Sequence, residues 1–137
     1  MTTPRGMAIP LGVTATSSVV VTRDLTVAHY HPGMPEAYGT PMMVYLMELA
    51  AAEAIQPELP AGWASVGAAV RVKHLAATPV GLRVTATATV IAVDGKTVTF
   101  AVSAHDGAEP IGEGTHVRVP IDLARFNARL AAKAPES

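Results

Sequence analysis

The sequence predicts an α+β domain in which one long, very apolar helix is wrapped by a curved antiparallel sheet, with a short second helix at the C-terminus. Three observations carry that expectation. Residues 42–55 are charged only at Glu48 and Glu53. Beyond residue 63 the hydrophobic period changes from 3.6 to 2, the signature of half-buried strands. The dipeptides Asp94-Gly95 and Asp106-Gly107 then divide the alternating segments with tight-turn chemistry. A helix that is apolar nearly all round has to be covered on most of its surface. A curved antiparallel sheet around a single central helix, the hotdog arrangement, meets that need.

Residues 16–22, rich in Val and Thr, read as a first strand. Residues 31–39 hold Pro32, Gly33, Pro35 and Gly39 and read as an ordered loop. Thr40-Pro41 starts the helix, because Thr is a good N-cap and Pro fits a first turn whose amide would be unpaired anyway. The helix stops near Gln56-Pro57, and Pro60, Ala61 and Gly62 form the exit. Val66, Ala68, Val70, Val72 and His74 then share one face of a strand, with Ser65, Arg71 and Lys73 on the other. After Thr78-Pro79, Leu82, Val84, Ala86, Ala88 and Val90 alternate with Arg83, Thr85, Thr87 and Thr89. Val98, Phe100, Val102 and Ala104 alternate in the same way between the two turns. Residues 111–119 supply a last strand, and residues 122–133 an amphipathic helix. The whole chain, 1–137, makes one domain, with 1–14 and 134–137 as flexible tails.

Composition narrows the function classes. The net charge is −1 and no basic run occurs, so neither nucleic acid nor an anionic membrane is an expected partner. Half of the residues are hydrophobic and 15% are charged, which points to surface buried by self-association through an edge strand. With no cysteine there is no disulfide and no thiolate chemistry. The N-terminal residues lack a continuous apolar core, so no signal peptide or membrane span is expected and the location is read as cytoplasmic.

Three polar residues stand where the pattern predicts burial or a helix end: Thr40, Glu48 and His74. Glu48 has Val44, Tyr45, Ala51 and Ala52 three and four positions away, none able to pair with it. No Lys or Arg occurs between residues 24 and 70, so its counter-ion must come from a distant segment or another subunit. Burying an unpaired carboxylate costs several kcal/mol, and a base or carboxylate nucleophile uses such a site. Glu53, about 140° around the helix, is the better candidate for a solvated face. Together the carboxylate, an imidazole and a hydroxyl at a helix N-terminus supply a base or nucleophile, a proton carrier and an anion-stabilising corner. Thr40 and Glu48 are separated by about 12 Å of helical rise, so a second subunit is the natural source of one of them.

Other candidates carry less. His29 and His31 lack an acid or Cys cluster that would complete a metal site. Asp24 and His29 stand five apart like the acid and histidine of hotdog hydratases, without the Asn and Pro usual between them. His105-Asp106 serves a turn, and His116 faces the polar side of the last strand. Arg71, Lys73, Arg83, Arg118 and Lys133 read as a solvated strand face and chain end, and no phosphate-loop motif singles out any of them for coenzyme phosphates.

The run Gly39-Thr40-Pro41 with Glu48, Ser65-Val66-Gly67, His74-Leu75-Ala76-Ala77-Thr78-Pro79-Val80-Gly81, Ser103-Ala104-His105-Asp106-Gly107 and Gly114-Thr115-His116 resembles the fluoroacetyl-coenzyme A thioesterase family of hotdog proteins. The resemblance implies a homodimer, possible as a higher assembly of dimers, that hydrolyses short acyl-CoA thioesters without cofactor or metal. By position its Thr, Glu and His are Thr40, Glu48 and His74, and Gly67 matches a glycine near the acyl group. It also implies a lid over the acyl pocket from the loop before Thr40, including Met34, Ala37, Tyr38 and Gly39. Here the chain departs from the family: His31 and Met34 stand where aromatic lid residues are expected, and Ala37 replaces a larger aliphatic one. A softer or more open pocket for a different small acyl group follows. Glu48 either attacks the thioester carbonyl or activates water, and both readings stay open. The competing functions are a non-catalytic acyl-CoA or small-ligand module and a hotdog hydratase or dehydratase.

Overall fold

The computed structural model describes residues 8–135. The expected tails at 1–7 and 136–137 lie outside them. Residues 8–13 are docked rather than loose: Ile9 is buried, and Gly12 and Val13 exchange backbone hydrogen bonds with Val90.

Strand β1, Thr14–Val20, leads through a short connection to helix α1, Val27–Tyr30. Helix α2 is Thr40–Ile55, followed by strands β2 (Trp63–His74), β3 (Arg83–Asp94), β4 (Thr97–His105) and β5 (Pro110–Asp122) and by helix α3, Leu123–Lys133. All five strands form one antiparallel sheet in the order β1-β3-β4-β5-β2. The sheet curls around α2, the hotdog arrangement expected from the sequence.

Local chemistry explains the elements. Pro41 sits in the first turn of α2, where its missing amide costs nothing. Met43, Leu46, Met47, Ala50, Ala51, Ala54 and Ile55 are buried, and the alanines among them let α2 lie close to Ala86 and Ala88 on β3. The alternation expected for β3 and β4 holds, with Val84, Ala86, Ala88, Val90, Val98, Phe100, Val102 and Ala104 all buried. Glu53 is exposed, as its place around the helix implies. At the first hairpin the two-residue loop is Gly95-Lys96 rather than Asp94-Gly95; Gly95 takes φ +60° and leads the loop, as in a type II′ turn. Asp122 caps α3 by accepting from the Arg125 amide.

Two expectations are corrected by strand pairing. The register of β2 on β5 shifts between Gly67 and Ala69, a bulge at Ala68, so the strand changes face halfway along. Gly67 lies opposite Arg118, whereas Val70, Val72 and His74 lie opposite His116, Gly114 and Gly112. Val66 and His74 therefore do not share a face. His116 and Arg118 are the second correction: neither is solvated, since both are buried on the inner side of β5 and His116 stacks on Phe100 with centroids 6.1 Å apart.

The turn at Asp106 does more than reverse the chain. Its carboxylate accepts from the Ala108 and Glu109 amides and from buried Thr78 Oγ1 at 2.8 Å, and the Thr78 carbonyl in turn accepts from the Tyr38 amide. Burial alone would raise the Asp106 pKa, but these hydrogen bonds outweigh it and hold the group below its ordinary 3.8. A depressed carboxylate stabilises the fold above the unfolded-state pKa and loses that contribution as pH falls through the folded value. Asp106→Asn is therefore expected to be destabilised most above about pH 4 and to converge on the parent in more acidic solution. Denaturant titrations of both proteins across pH 2–7 check this, and a constant gap would show that the carboxylate charge is irrelevant.

Candidate active site

Gly39, not Thr40, is the N-cap of α2, which makes Thr40 the first helical residue. Its amide is among those with no acceptor inside the helix, and Pro41 has no amide to offer beside it. The side chain of Thr40 meets His74 at the end of β2, with Oγ1 2.7 Å from Nδ1. His74 Nε2 is buried and has no hydrogen-bond partner among the described residues. Burial lowers the His74 pKa below the ordinary 6.5, against a smaller opposing pull from the Ala76 backbone, so the imidazole is neutral at pH 7.

Glu48 lies two turns further along α2 and does not join this pair within one chain. Its Oε2 is 3.6 Å from Arg118 Nη1, so the counter-ion comes from a distant segment, one of the two sources its surroundings allowed. Arg118 is locked in place: Nε donates to Ser65 Oγ and Nη2 to the Ser65 carbonyl, both at 2.7 Å. Nη1 also donates to His116 Nε2 at 3.2 Å, which leaves His116 Nδ1 to donate to the Ala69 carbonyl at 2.8 Å. Burial holds the His116 imidazole below its ordinary pKa, in keeping with a neutral ring that accepts at one nitrogen and donates at the other. The Glu48 side chain remains about one third exposed, so the carboxylate is braced on one side and open on the other.

Gly67 is required by that arrangement. A Cβ on Gly67 would collide with Glu48 Oε2 and press on His116 Cε1. The glycine makes room for the carboxylate. Its φ is not positive, so an L residue fits the backbone and only the contact is at stake. Gly67→Ala is expected to keep the fold and to lower turnover at least about tenfold, since misplacing a reacting group by about 1 Å costs on that order or more. Unchanged turnover in the folded variant would show that Glu48 has slack to move.

The residues before Thr40 divide. Tyr38 is in the core, where burial pushes its hydroxyl up to about 12, and its amide donates to the Thr78 carbonyl. Ala37 bridges to Pro79, and Met34 is 46% exposed. Gly39 does border a pocket of about 260 Å³, together with Val27, Tyr30, Pro41 and Met42. Among the other candidates, Asp24 accepts from Thr22 Oγ1, and His29 stacks edge-on against Tyr30 at 4.8 Å. His31 turns to the Pro32 carbonyl, and His105, Arg71, Lys73, Arg83 and Lys133 are exposed. No group of three or more metal-binding side chains occurs among the described residues.

Sequence reasoning missed Arg118 and His116. Their only signal was two polar residues on one side of the last strand; counted from Ile111 that side is the wet one, but the pairing with β4, irregular where Ala104 and His105 meet β5, sets them opposite buried Phe100 and Val98.

Comparison with known proteins matches residues 21–124 to the profile of the fluoroacetyl-CoA-specific thioesterase family. The fluoroacetyl-CoA thioesterase of Streptantibioticus cattleyicolor is 44% identical over 131 residues, covering 91% of this chain and 94% of that protein. A solved structure of the fluoroacetyl-CoA thioesterase FlK superposes with a TM-score of 0.87 at 42% identity, covering 93% of this chain and 99% of that one. A point mutant of that enzyme in complex with acetyl-CoA superposes with a TM-score of 0.85 at 42% identity, covering 93% and 100%.

Proposed function

This chain belongs to the fluoroacetyl-CoA-specific thioesterase family, and from that premise we propose that it hydrolyses short acyl-CoA thioesters at a site built from Thr40 and His74 of one subunit and Glu48 of its partner. One observation supports the shared site above all. Thr40 and His74 are bonded at one end of β2, while Glu48 sits under Gly67 near the other end, next to an outer edge whose residues Gly67 to Arg71 are all exposed. Among the described residues, no strand pairs with that edge. Antiparallel pairing of β2 with its copy about a two-fold axis through this stretch sends the His74 end of one strand toward the Gly67 end of the other. Each dimer then holds two sites.

The chemistry follows from the side chains. The Thr40 amide and hydroxyl stabilise the oxyanion that forms when the thioester carbonyl is attacked. Glu48 either attacks that carbonyl, giving an acyl-glutamyl anhydride that water then opens, or takes a proton from the attacking water. In both cases the C–S bond breaks and the coenzyme A thiolate leaves, with neutral His74 passing protons. Carboxylate, imidazole and hydroxyl suffice for this, so the proposal includes no metal or redox cofactor. A coenzyme A thioester substrate favours a cytoplasmic location.

Turnover of a panel of short acyl-CoA thioesters tests the reading against a binding module, which would hold them unchanged. A hydratase would instead act on a 2-enoyl-CoA. His74→Ala is expected to cut turnover strongly and His105→Ala to leave it intact, because the His105 side chain is exposed and has no part in the pair formed by Thr40 and His74. Equal losses in both would remove His74 from the mechanism. Activity is also expected to fall in acid with a midpoint lower than the ordinary imidazole value, as His74 becomes protonated.

A further inference from the structure

The pocket of about 260 Å³ beside Thr40 presents no polar atom: its walls are Val27 and Tyr30 from α1 and Gly39, Pro41 and Met42 from the start of α2. We propose that this pocket takes a plain hydrocarbon acyl chain of about four to six carbons, so that thioesters of that length, and not two-carbon or fluorinated acyl groups, are the preferred substrates. The proposal rests on the thioesterase reading and adds to it the class of acyl group.

Position comes first. Gly39 and Pro41 flank Thr40 in the chain, and the Thr40 hydroxyl is held by His74. On this proposal, a thioester carbonyl held at that hydroxyl directs its acyl tail into the pocket between the two residues that flank Thr40 in the chain. Size comes second. At about 30 Å³ for a water-sized group, a two-carbon acyl unit fills only a small part of the pocket, and the rest would be left to void or to water facing carbon. Six carbons fit within it. Chemistry comes third. A C–F bond gains selectivity from a donor, a cation or a close polar contact, and the lining offers none of these. The loop side chains near it stay open to solvent, with Tyr30 and Met34 67% and 46% exposed.

Transfer of a methylene from water to such a surface multiplies kcat/KM about fourfold. The expected order for the purified protein is therefore hexanoyl-CoA over butanoyl-CoA over acetyl-CoA, with butanoyl about fifteenfold and hexanoyl about 250-fold above acetyl. Fluoroacetyl-CoA should exceed acetyl-CoA by no more than its greater reactivity toward hydroxide. A second variant tests the location: Val27→Phe, which fills the pocket, is expected to lower the hexanoyl-to-acetyl ratio at least about tenfold, with folding checked by circular dichroism. A two-carbon or fluoroacetyl preference, or a ratio that Val27→Phe leaves unmoved while the protein stays folded, overturns the acyl-length assignment alone. No turnover of any thioester would instead overturn the thioesterase reading, and this inference with it.

Discussion

Glu48→Gln is expected to lower kcat at least about a hundredfold while leaving the protein folded. The substitution keeps the size and shape of the side chain and removes its charge and basicity, so it isolates the carboxylate's chemistry. An amide cannot attack a thioester to give an anhydride, and it does not accept a proton from water near neutral pH. Either role for Glu48 is lost, and removing a positioned base or nucleophile costs on the order of a hundredfold or more. Stability should change little. Glu48 is one third exposed, and Arg118 keeps its two bonds to Ser65 and its bond to His116 when the charge opposite it disappears. Stopped-flow or steady-state assays with a short acyl-CoA, alongside thermal unfolding, provide the check. Near-normal turnover in the folded variant would sink the assignment of Glu48, and with it the idea that the braced carboxylate exists for chemistry.

The sequence made Glu48 legible because one acid in a helix apolar on all sides is a local anomaly, visible without any knowledge of partners. The same holds for β3 as far as Val90 and for β4 between the two turn dipeptides, whose alternation could be assigned residue by residue. The bracing of Glu48 was not legible, for a specific reason. Counted along β5 from Ile111, alternation turns Thr115, Val117 and Val119 inward, a count broken by the register irregularity where Ala104 and His105 meet β5, and the bulge at Ala68 then decides which β2 residue faces Arg118. Read by strict alternation, His116 and Arg118 fall on the wet side. Read with the bulge, Arg118 lies opposite Gly67, the one position with no side chain to obstruct the carboxylate. Thr40 shows a similar limit on a smaller scale. Its type and place suggest a capping hydroxyl, yet Gly39 takes the cap and frees the hydroxyl for His74, thirty-four residues away. Sequence patterns give faces and ends, whereas pairings across the fold decide which polar group meets which.

The second large effect comes from mixing two inactive proteins. Within one chain Thr40 is bonded to His74, and Glu48 is turned toward Arg118 and Gly67, so no single chain assembles all three side chains. If each site draws Glu48 from the partner, Thr40→Ala and Glu48→Gln are lesions in different halves of the same site. A dimer with one chain of each kind carries both lesions in one site and neither in the other. Equal mixing under conditions of subunit exchange makes half the dimers hybrid, and half of their sites are intact. Activity should therefore rise from near zero to roughly a quarter of wild type. Exchange itself is followed separately, for example by native mass spectrometry of chains carrying different tags. A site contained within one chain predicts the opposite, since every site would then keep a lesion whatever the pairing. A mixture that demonstrably exchanges and stays as inactive as its parents would refute the shared site, and would require a different route by which Glu48 reaches a thioester held at Thr40 and His74.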